Sequence, residues 1–342
     1  MCSRWVGPVG SSIQGMSAAW IVPLLLLQPA AASQGTDVRF SNGAVRLAGT
    51  LTLPDKGPTA IPPPAIVLLG GSGPAPRAGQ KQYADQLNAL GLATLAVDKR
   101  GSGESGGDWS TAALDDLVAD ALAAVRYLQS RDDVDRAHIG VWGVSQAGWV
   151  IPALLAHSSD VSFAIVVTGG GSTPKEIELY GYRRALDRAW VTAADHQRAE
   201  ALLQQYFRWL GTGDGEAALR LAMNGSHDET WFQALGLERV VPSAAMRPKW
   251  AWVANYDPVP DIRRIAVPIL VVLGGSDPLG PADPAARAWR SALPENETRS
   301  QVIVVPGMGH AARTGAIHSG NDPLNPDYIA AVETFVATVL QR

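Results

Sequence analysis

Six short runs of this chain are almost wholly apolar, and none alternates with polar residues as a half-exposed strand would. They are "AIVLL" from Ala65, "LATLAV" from Leu92, "IGVWGV" from Ile139, "FAIVV" from Phe163, "PILVVLGG" from Pro268 and "VIVV" from Val302. A strand that is apolar on both faces has to be buried on both, which requires a mainly parallel sheet covered by helices on each side. Helical patterns do lie between the runs. Tyr83, Leu87 and Leu90 recur at helical spacing, with Gly91 placed to end the helix. Leu114, Leu117, Val118, Ala121, Leu122, Val125 and Leu128 form a second amphipathic stripe. The exception is "VRFSNGAVRLAGTLTLP", where alternating apolar residues flank Asn42-Gly43 and predict a hairpin. The fold class expected is α/β, a mostly parallel sheet with helices on both faces.

The alternation of strand and helix stops after Gly171. From Ser172 to Asp261 the texture is helical, and this segment holds five tryptophans, Trp190, Trp209, Trp231, Trp250 and Trp252. Strand texture then resumes, and a helix near Pro326 to Gln341 closes the chain. The expected organisation is a core domain over 37–171 and 262–342, interrupted by a helical cap insertion over 172–261. Most cap aromatics should build the cap's own core, and some should line an apolar pocket between cap and sheet.

The amino terminus carries Arg4 as its only charged side chain before Asp37, followed by the apolar run "AAWIVPLLLL" and then Ala30-Ala31-Ala32. That run is too short to span a bilayer, which takes roughly 20 residues. It reads as a secretory signal over 1–32 cleaved near Ala32, giving an exported, periplasmic or secreted protein without a stable membrane span. An uncleaved anchor and a start at Met16 are the alternatives. The single cysteine, Cys2, would be lost with the signal, leaving no disulfide, cysteine nucleophile or thiolate metal site. A net charge of −4 and a pI near 5.9 offer no basic face for nucleic acid. No histidine pair stands at metal-ligand spacing, so no metal or cofactor is expected.

Within "HIGVWGVSQAGWVIPALLA", a strand turns into a helix at Gly143-Val144-Ser145-Gln146-Ala147-Gly148. Such a turn lifts a hydroxyl above the carboxyl edge of the sheet and needs small residues beside it, because strand and helix crowd one another there. Gly143 fits, and Ala147 stands where a second glycine is usual. A serine nucleophile requires a base, and the base an orienting acid. Sites in parallel sheets lie past the carboxyl ends of strands. His310 follows "VIVVPGMG" and Asp277 follows "PILVVLGG", so the order Ser145, Asp277, His310 is complete. His138 precedes its strand, His157 lies far along the elbow helix, and His196 and His227 fall in the insertion. His318 is the rival base, in the same loop as His310, and Asp283 the rival acid. The oxyanion requires two backbone N–H donors. Gln146, next to the nucleophile, supplies one, and "GGSGP" the other, through Ser72 or alternatively Gly71. That loop lacks the lysine and spacing of a phosphate-binding P-loop.

With "GGSGP", "DKRGSGESGG", "GVWGVSQAGW" and "YDPVPDIRRIAVPILVVLGGSDP" in hand, the chain resembles the α/β-hydrolase superfamily. More narrowly it is similar to bacterial serine aminopeptidase-like and dienelactone-hydrolase-like proteins. The resemblance runs from about Val38 to the end, apart from the insertion, and implies the fold, the triad and a helical cap. Asp98 and Arg100 are then expected to hold loops together, and Trp149 to be packing. Members of this group hydrolyse esters, peptides and other acyl compounds. The expectation is an exported serine hydrolase that cleaves carboxylic esters through an acyl-enzyme on Ser145. The alternative is an aminopeptidase or arylamidase with the same triad, for which Glu176, Glu178 and Glu200 are carboxylates available to hold a free amine. A non-catalytic binding protein on this scaffold is the alternative of another class.

Overall fold

The computed structural model describes residues 35–55, 61–295, 297–315 and 322–340. The export signal expected over 1–32 and the rival base His318 lie outside the described residues. Among the described residues there are eight strands: β1 (Thr36–Asn42), β2 (Val45–Thr52), β3 (Ala65–Leu69), β4 (Ala93–Val97), β5 (Ile139–Val144), β6 (Phe163–Val167), β7 (Ile269–Gly274) and β8 (Gln301–Val305). They form one sheet in the order β1-β2-β4-β3-β5-β6-β7-β8. β1 and β2 are the hairpin expected around Asn42-Gly43, with Asn42 opposite Val45 and Gly43 at φ +54°. β2 also pairs antiparallel with β4, and every pairing from β4 through β3 to β8 is parallel.

Helices cover both faces. α1 (Lys81–Ala89) precedes β4, α2 (Leu114–Gln129) precedes β5, and α3 (Ala147–His157) leaves the end of β5. Six helices follow β6: α4 (Pro174–Arg188), α5 (Ala193–Thr212), α6 (Glu216–Gly225), α7 (Thr230–Leu235), α8 (Arg247–Asn255) and α9 (Val259–Ile262). α10 (Ala282–Ala292) joins β7 to β8, and α11 (Pro326–Val339) ends the fold.

The two-sided burial of the strands has a direct structural counterpart. Val67, Val141, Val166 and Val271 point to one face, against Leu117, Val125, Ile151 and Trp289 from α2, α3 and α10. Ile66, Trp142, Ile165 and Val272 point to the other, against Leu87 of α1 and Tyr328, Val332 and Phe335 of α11. Each large apolar side chain so enclosed contributes about 1.5–3 kcal/mol relative to exposure. α11 begins where the Asn325 side chain accepts the N–H groups of Asp327 and Tyr328 at 2.9 and 3.3 Å.

The helices between β6 and β7 carry a core of their own, built on Leu186, Leu203, Phe207, Trp209, Trp231 and Phe232. α9 does not belong to it. Its Ile262 is buried in the sheet-side core, against which Trp252, Tyr256 and Val259 also pack, so the chain returns to the sheet over the end of α8. No described helix is long and apolar enough to cross a membrane.

Candidate active site

β5 ends at Val144 and α3 starts at Ala147, leaving two residues for the reversal. Ser145 takes φ +58°, a left-handed conformation that an ordinary L-residue holds only when its surroundings enforce it. The enforcement is visible. Ser145 N–H donates to the carbonyl of Val167 in β6 at 2.9 Å, and its own carbonyl accepts from Gly148 N–H at 2.8 Å.

The crowding expected from the sequence is present, and it explains the alanine. A Cβ on Gly143 would lie 2.4 Å from the Cβ of Ala147, so these positions face one another and only one can carry a methyl. Gly148 serves a different contact. A Cβ there would meet the backbone of Gly169 and Gly170 at 2.3–2.4 Å. Gly169 in turn lies against the Ser145 turn, and its Cβ would be 2.1 Å from the Ser145 carbonyl oxygen. The need for small residues is thus shared by the turn and the loop after β6.

His310 and Asp277 meet from neighbouring loops. His310 Nδ1 and Asp277 Oδ2 are 2.8 Å apart, with the Asp277 side chain only 5% exposed. Oδ1 of Asp277 accepts the N–H of Leu279 at 2.8 Å, which fixes the carboxylate plane. The loops themselves interlock, since Ser276 N–H donates to the Met308 carbonyl at 2.9 Å. Beyond the histidine, Ala311 and Ala312 both have positive φ. Tyr83 of α1 donates its hydroxyl proton to the Ala311 carbonyl at 2.5 Å, and the Ala311 N–H reaches Thr168 Oγ1 at 3.4 Å. Burial raises the Tyr83 pKa, which keeps that hydroxyl a donor. The rivals stand elsewhere. Asp283 is exposed in the first turn of α10. His138 contacts Asp135, and His227 contacts Glu238 at the surface.

Ser145, His310 and Asp277 line one cavity of about 390 Å³. Ile177, Tyr182 and Leu235 close it from the helices after β6. Among the aromatics of the segment after β6, Tyr182 thus reaches the cavity, whereas its five tryptophans do not line it. Trp209 and Trp231 are core, Trp250 donates to the Ser110 carbonyl at 2.7 Å, Trp252 packs edge-on against Trp149, and Trp190 is exposed. Trp149 does both jobs. It is buried, its Nε1 donates to the Ser172 carbonyl at 2.9 Å, and it also lines the cavity. Of the three glutamates considered, Glu178 projects into the cavity, reached by solvent yet surrounded by protein, and burial raises its pKa. Glu176 instead caps α4 through Thr173, and Glu200 pairs with Arg183.

The loop after β3 runs against the serine. A Cβ on Gly71 would lie 3.2 Å from the Ser145 Cβ and 3.7 Å from Oγ, and Ser72 lines the cavity. Asp98 and Arg100 stabilise the neighbouring loops. Buried Asp98 accepts from the Arg77 N–H at 2.6 Å, the Glu104 N–H at 2.9 Å and the Arg77 guanidinium. Arg100 makes a bidentate pair with Asp120 at 2.6 and 2.7 Å. Lys99, which lies between them, donates to the Gly71 carbonyl at 2.9 Å and to Gln146 Oε1 at 2.5 Å.

Strand order, parallel crossovers and the strained turn after β5 are those of the α/β-hydrolase class. Residues 64–313 match the family model described as serine aminopeptidase, S33, and the chain belongs to that family of hydrolases. An uncharacterised protein of Pseudomonas aeruginosa is 32% identical over 194 residues, 55% of this chain and 48% of that one. Esterase EstD of Thermotoga maritima is 25% identical over 242 residues, 68% of this chain and 50% of EstD. The match therefore spans about half the length of these two relatives. Among solved structures, Est1E of Butyrivibrio proteoclasticus with ferulic acid bound superposes with a TM-score of 0.59 at 16% identity, covering 89% of this chain and all of that one. At that identity the likeness concerns the fold.

Proposed function

We propose that the protein is an exported serine hydrolase that cleaves carboxylic esters through an acyl-enzyme on Ser145. The observation that carries this reading is the 2.8 Å pairing of His310 Nδ1 with the buried Asp277 carboxylate, on a histidine that shares its cavity with Ser145. With Nδ1–H committed to Asp277, Nε2 is the free base. It takes the Ser145 proton as Oγ attacks the carbonyl carbon. The backbone N–H groups of Ser72 and Gln146 stabilise the oxyanion. His310 then protonates the departing alcohol and activates water, which releases the acid and restores the serine. The helices after β6 act as a cap that encloses the acyl group in a largely apolar cavity. Export rests on the apolar leader alone, and amino-terminal sequencing of the mature protein tests it, with cleavage near Ala32 expected.

A second reading, aminopeptidase or arylamidase activity, is favoured by Glu178, a carboxylate in an otherwise largely apolar wall and suited to a substrate ammonium. One panel separates the two. p-Nitrophenyl esters of graded acyl length and aminoacyl p-nitroanilides are assayed with wild type and Ser145→Ala. Ester turnover that vanishes in Ser145→Ala is expected. Release from the anilides that depends on a free amino group would transfer the assignment to the peptidase. Wild-type turnover by Ser145→Ala would remove both.

A further inference from the structure

Lys99 is the lysine of the "DKRG" turn after β4, and the proposed mechanism gives it no task. Its surroundings are specific. Nζ donates to two acceptors, the Gly71 carbonyl at 2.9 Å and the Gln146 side-chain oxygen at 2.5 Å. These belong to the two segments that supply the oxyanion donors. The Gly71 carbonyl and the Ser72 N–H are the two ends of a single peptide unit. In a trans peptide they point in opposite directions, so a cation holding the carbonyl fixes where the N–H is aimed. It also withdraws electron density through the amide and strengthens that N–H as a donor. On the other side, gripping the Gln146 side chain holds the residue whose own N–H opens α3 beside Ser145.

We infer that Lys99 is a positioning residue for the oxyanion site, clamping the Gly71–Ser72 peptide and Gln146 so that both backbone donors face the cavity together. The inference rests on the acyl-transfer reading of Ser145. The clamp is charge-assisted, and such bonds are roughly twice as strong as neutral ones. Few groups compete for it. From its own turn, Asp98 is committed to Arg77 and the Glu104 N–H, and Arg100 to Asp120. From α2 come Asp120 and, through Arg100 and Lys249, Asp116. The nucleophile turn contributes neutral Gln146, and the loop after β3 contributes backbone and Ser72. Burial lowers the Lys99 pKa to about 8, and the nearby Asp120 offsets part of that fall. The ammonium is present at neutral pH and is lost as pH rises through about 8.

The test is the pH profile of kcat and KM for a p-nitrophenyl ester in wild type, Lys99→Met, Lys99→Arg and Ser145→Ala, with folding checked by circular dichroism. Lys99→Met should lower kcat by between about ten- and a hundredfold, less than the roughly 10²–10³ of losing a donor outright, with KM little changed. Wild-type kcat should fall several-fold through an apparent pKa near 8. Lys99→Arg, whose guanidinium stays charged, should retain more activity than Lys99→Met and lose that alkaline fall. A folded Lys99→Met with wild-type kcat, or a loss confined to KM, would overturn the inference. Should Lys99→Met not fold, an alkaline fall shared by wild type and Lys99→Arg would overturn it equally. Turnover surviving in Ser145→Ala would sink the acyl-transfer reading itself, an outcome distinct from any Lys99 result.

Discussion

Asp277→Asn removes a charge but keeps the shape, and its effect is set by the two contacts of the carboxylate. Oδ1 accepts from the Leu279 N–H and Oδ2 faces His310 Nδ1, both at 2.8 Å. An amide has one acceptor and one donor end, so it can satisfy only one of them. With its oxygen towards Leu279, its NH₂ meets Nδ1, which must then act as acceptor, and the imidazole proton moves to Nε2. That tautomer presents a proton to Ser145 where a base is required. In serine proteases the same swap lowers kcat about 10⁴-fold, equivalent to about 5 kcal/mol at 1.36 kcal/mol per decade. The opposite orientation sets the NH₂ against the Leu279 N–H, so the amide of a side chain that is 5% exposed loses its acceptor at about 1–3 kcal/mol, while water can still reach the exposed Leu279. The unproductive orientation therefore dominates. Asp277→Asn should lose about 10³–10⁴ in kcat near neutral pH with KM nearly unchanged, while Asp283→Asn stays close to wild type. Steady-state ester hydrolysis measures both. An Asp277→Asn enzyme that keeps more than about a tenth of wild-type kcat would refute the reasoning.

Gly169→Ala places a methyl 2.1 Å from the Ser145 carbonyl oxygen and 3.2 Å from the Gly148 Cα, and neither backbone can yield freely. Overpacking of this kind costs about 2–3 kcal/mol, so Tm should drop by roughly 3–5 °C in a chain of this length, with kcat falling as the serine turn shifts. A melting temperature within a degree or two of wild type would show that the loop after β6 gives way more easily than its contacts suggest. Glu178→Gln probes the cavity wall. Because burial raises the Glu178 pKa, the folded chain holds that proton more tightly than the unfolded one. The carboxylate therefore costs stability above its raised pKa and costs nothing below the ordinary carboxylate range. Because solvent reaches the side chain, the effect is small: Gln should raise Tm only slightly near pH 8 and leave it unchanged near pH 4, and equal gains at both would count against this account.

The parallel sheet was legible because two-sided burial leaves strands with no polar alternation, as Val67 and Ile66 illustrate by entering opposite cores. Ser145, Asp277 and His310 could be picked out because parallel strands deliver their ends to one edge, so residues just past different strands become neighbours. Ala147 was harder to judge. The sequence marked it as a departure from glycine, and only the facing Gly143 explains why one methyl fits. The glutamates show the limit well. Glu176, Glu178 and Glu200 look alike on helices, yet one caps a helix, one pairs with an arginine and one enters the cavity. The tryptophans divide in the same way, and Trp149 proved to be both packing and cavity wall.

The role of Lys99 left no sequence signal, although the residue lies within a recognisable motif, since its partners lie 28 and 47 residues away and a lysine beside Asp98 and Arg100 reads as another loop charge. The Tyr83 hydroxyl that holds the Ala311 carbonyl beside His310 crosses 228 residues. Periodicity, turn chemistry and the small residues around a strained serine are dictated within a dozen positions, by sterics and by which faces must be buried, and these the sequence determined alone. Which side chain fills a cavity, grips a distant carbonyl or fixes a carboxylate plane depends on how separately legible elements pack. That was decided by the tertiary structure, because such contacts are set by the close fit of many surfaces at once and leave no periodic trace along the chain.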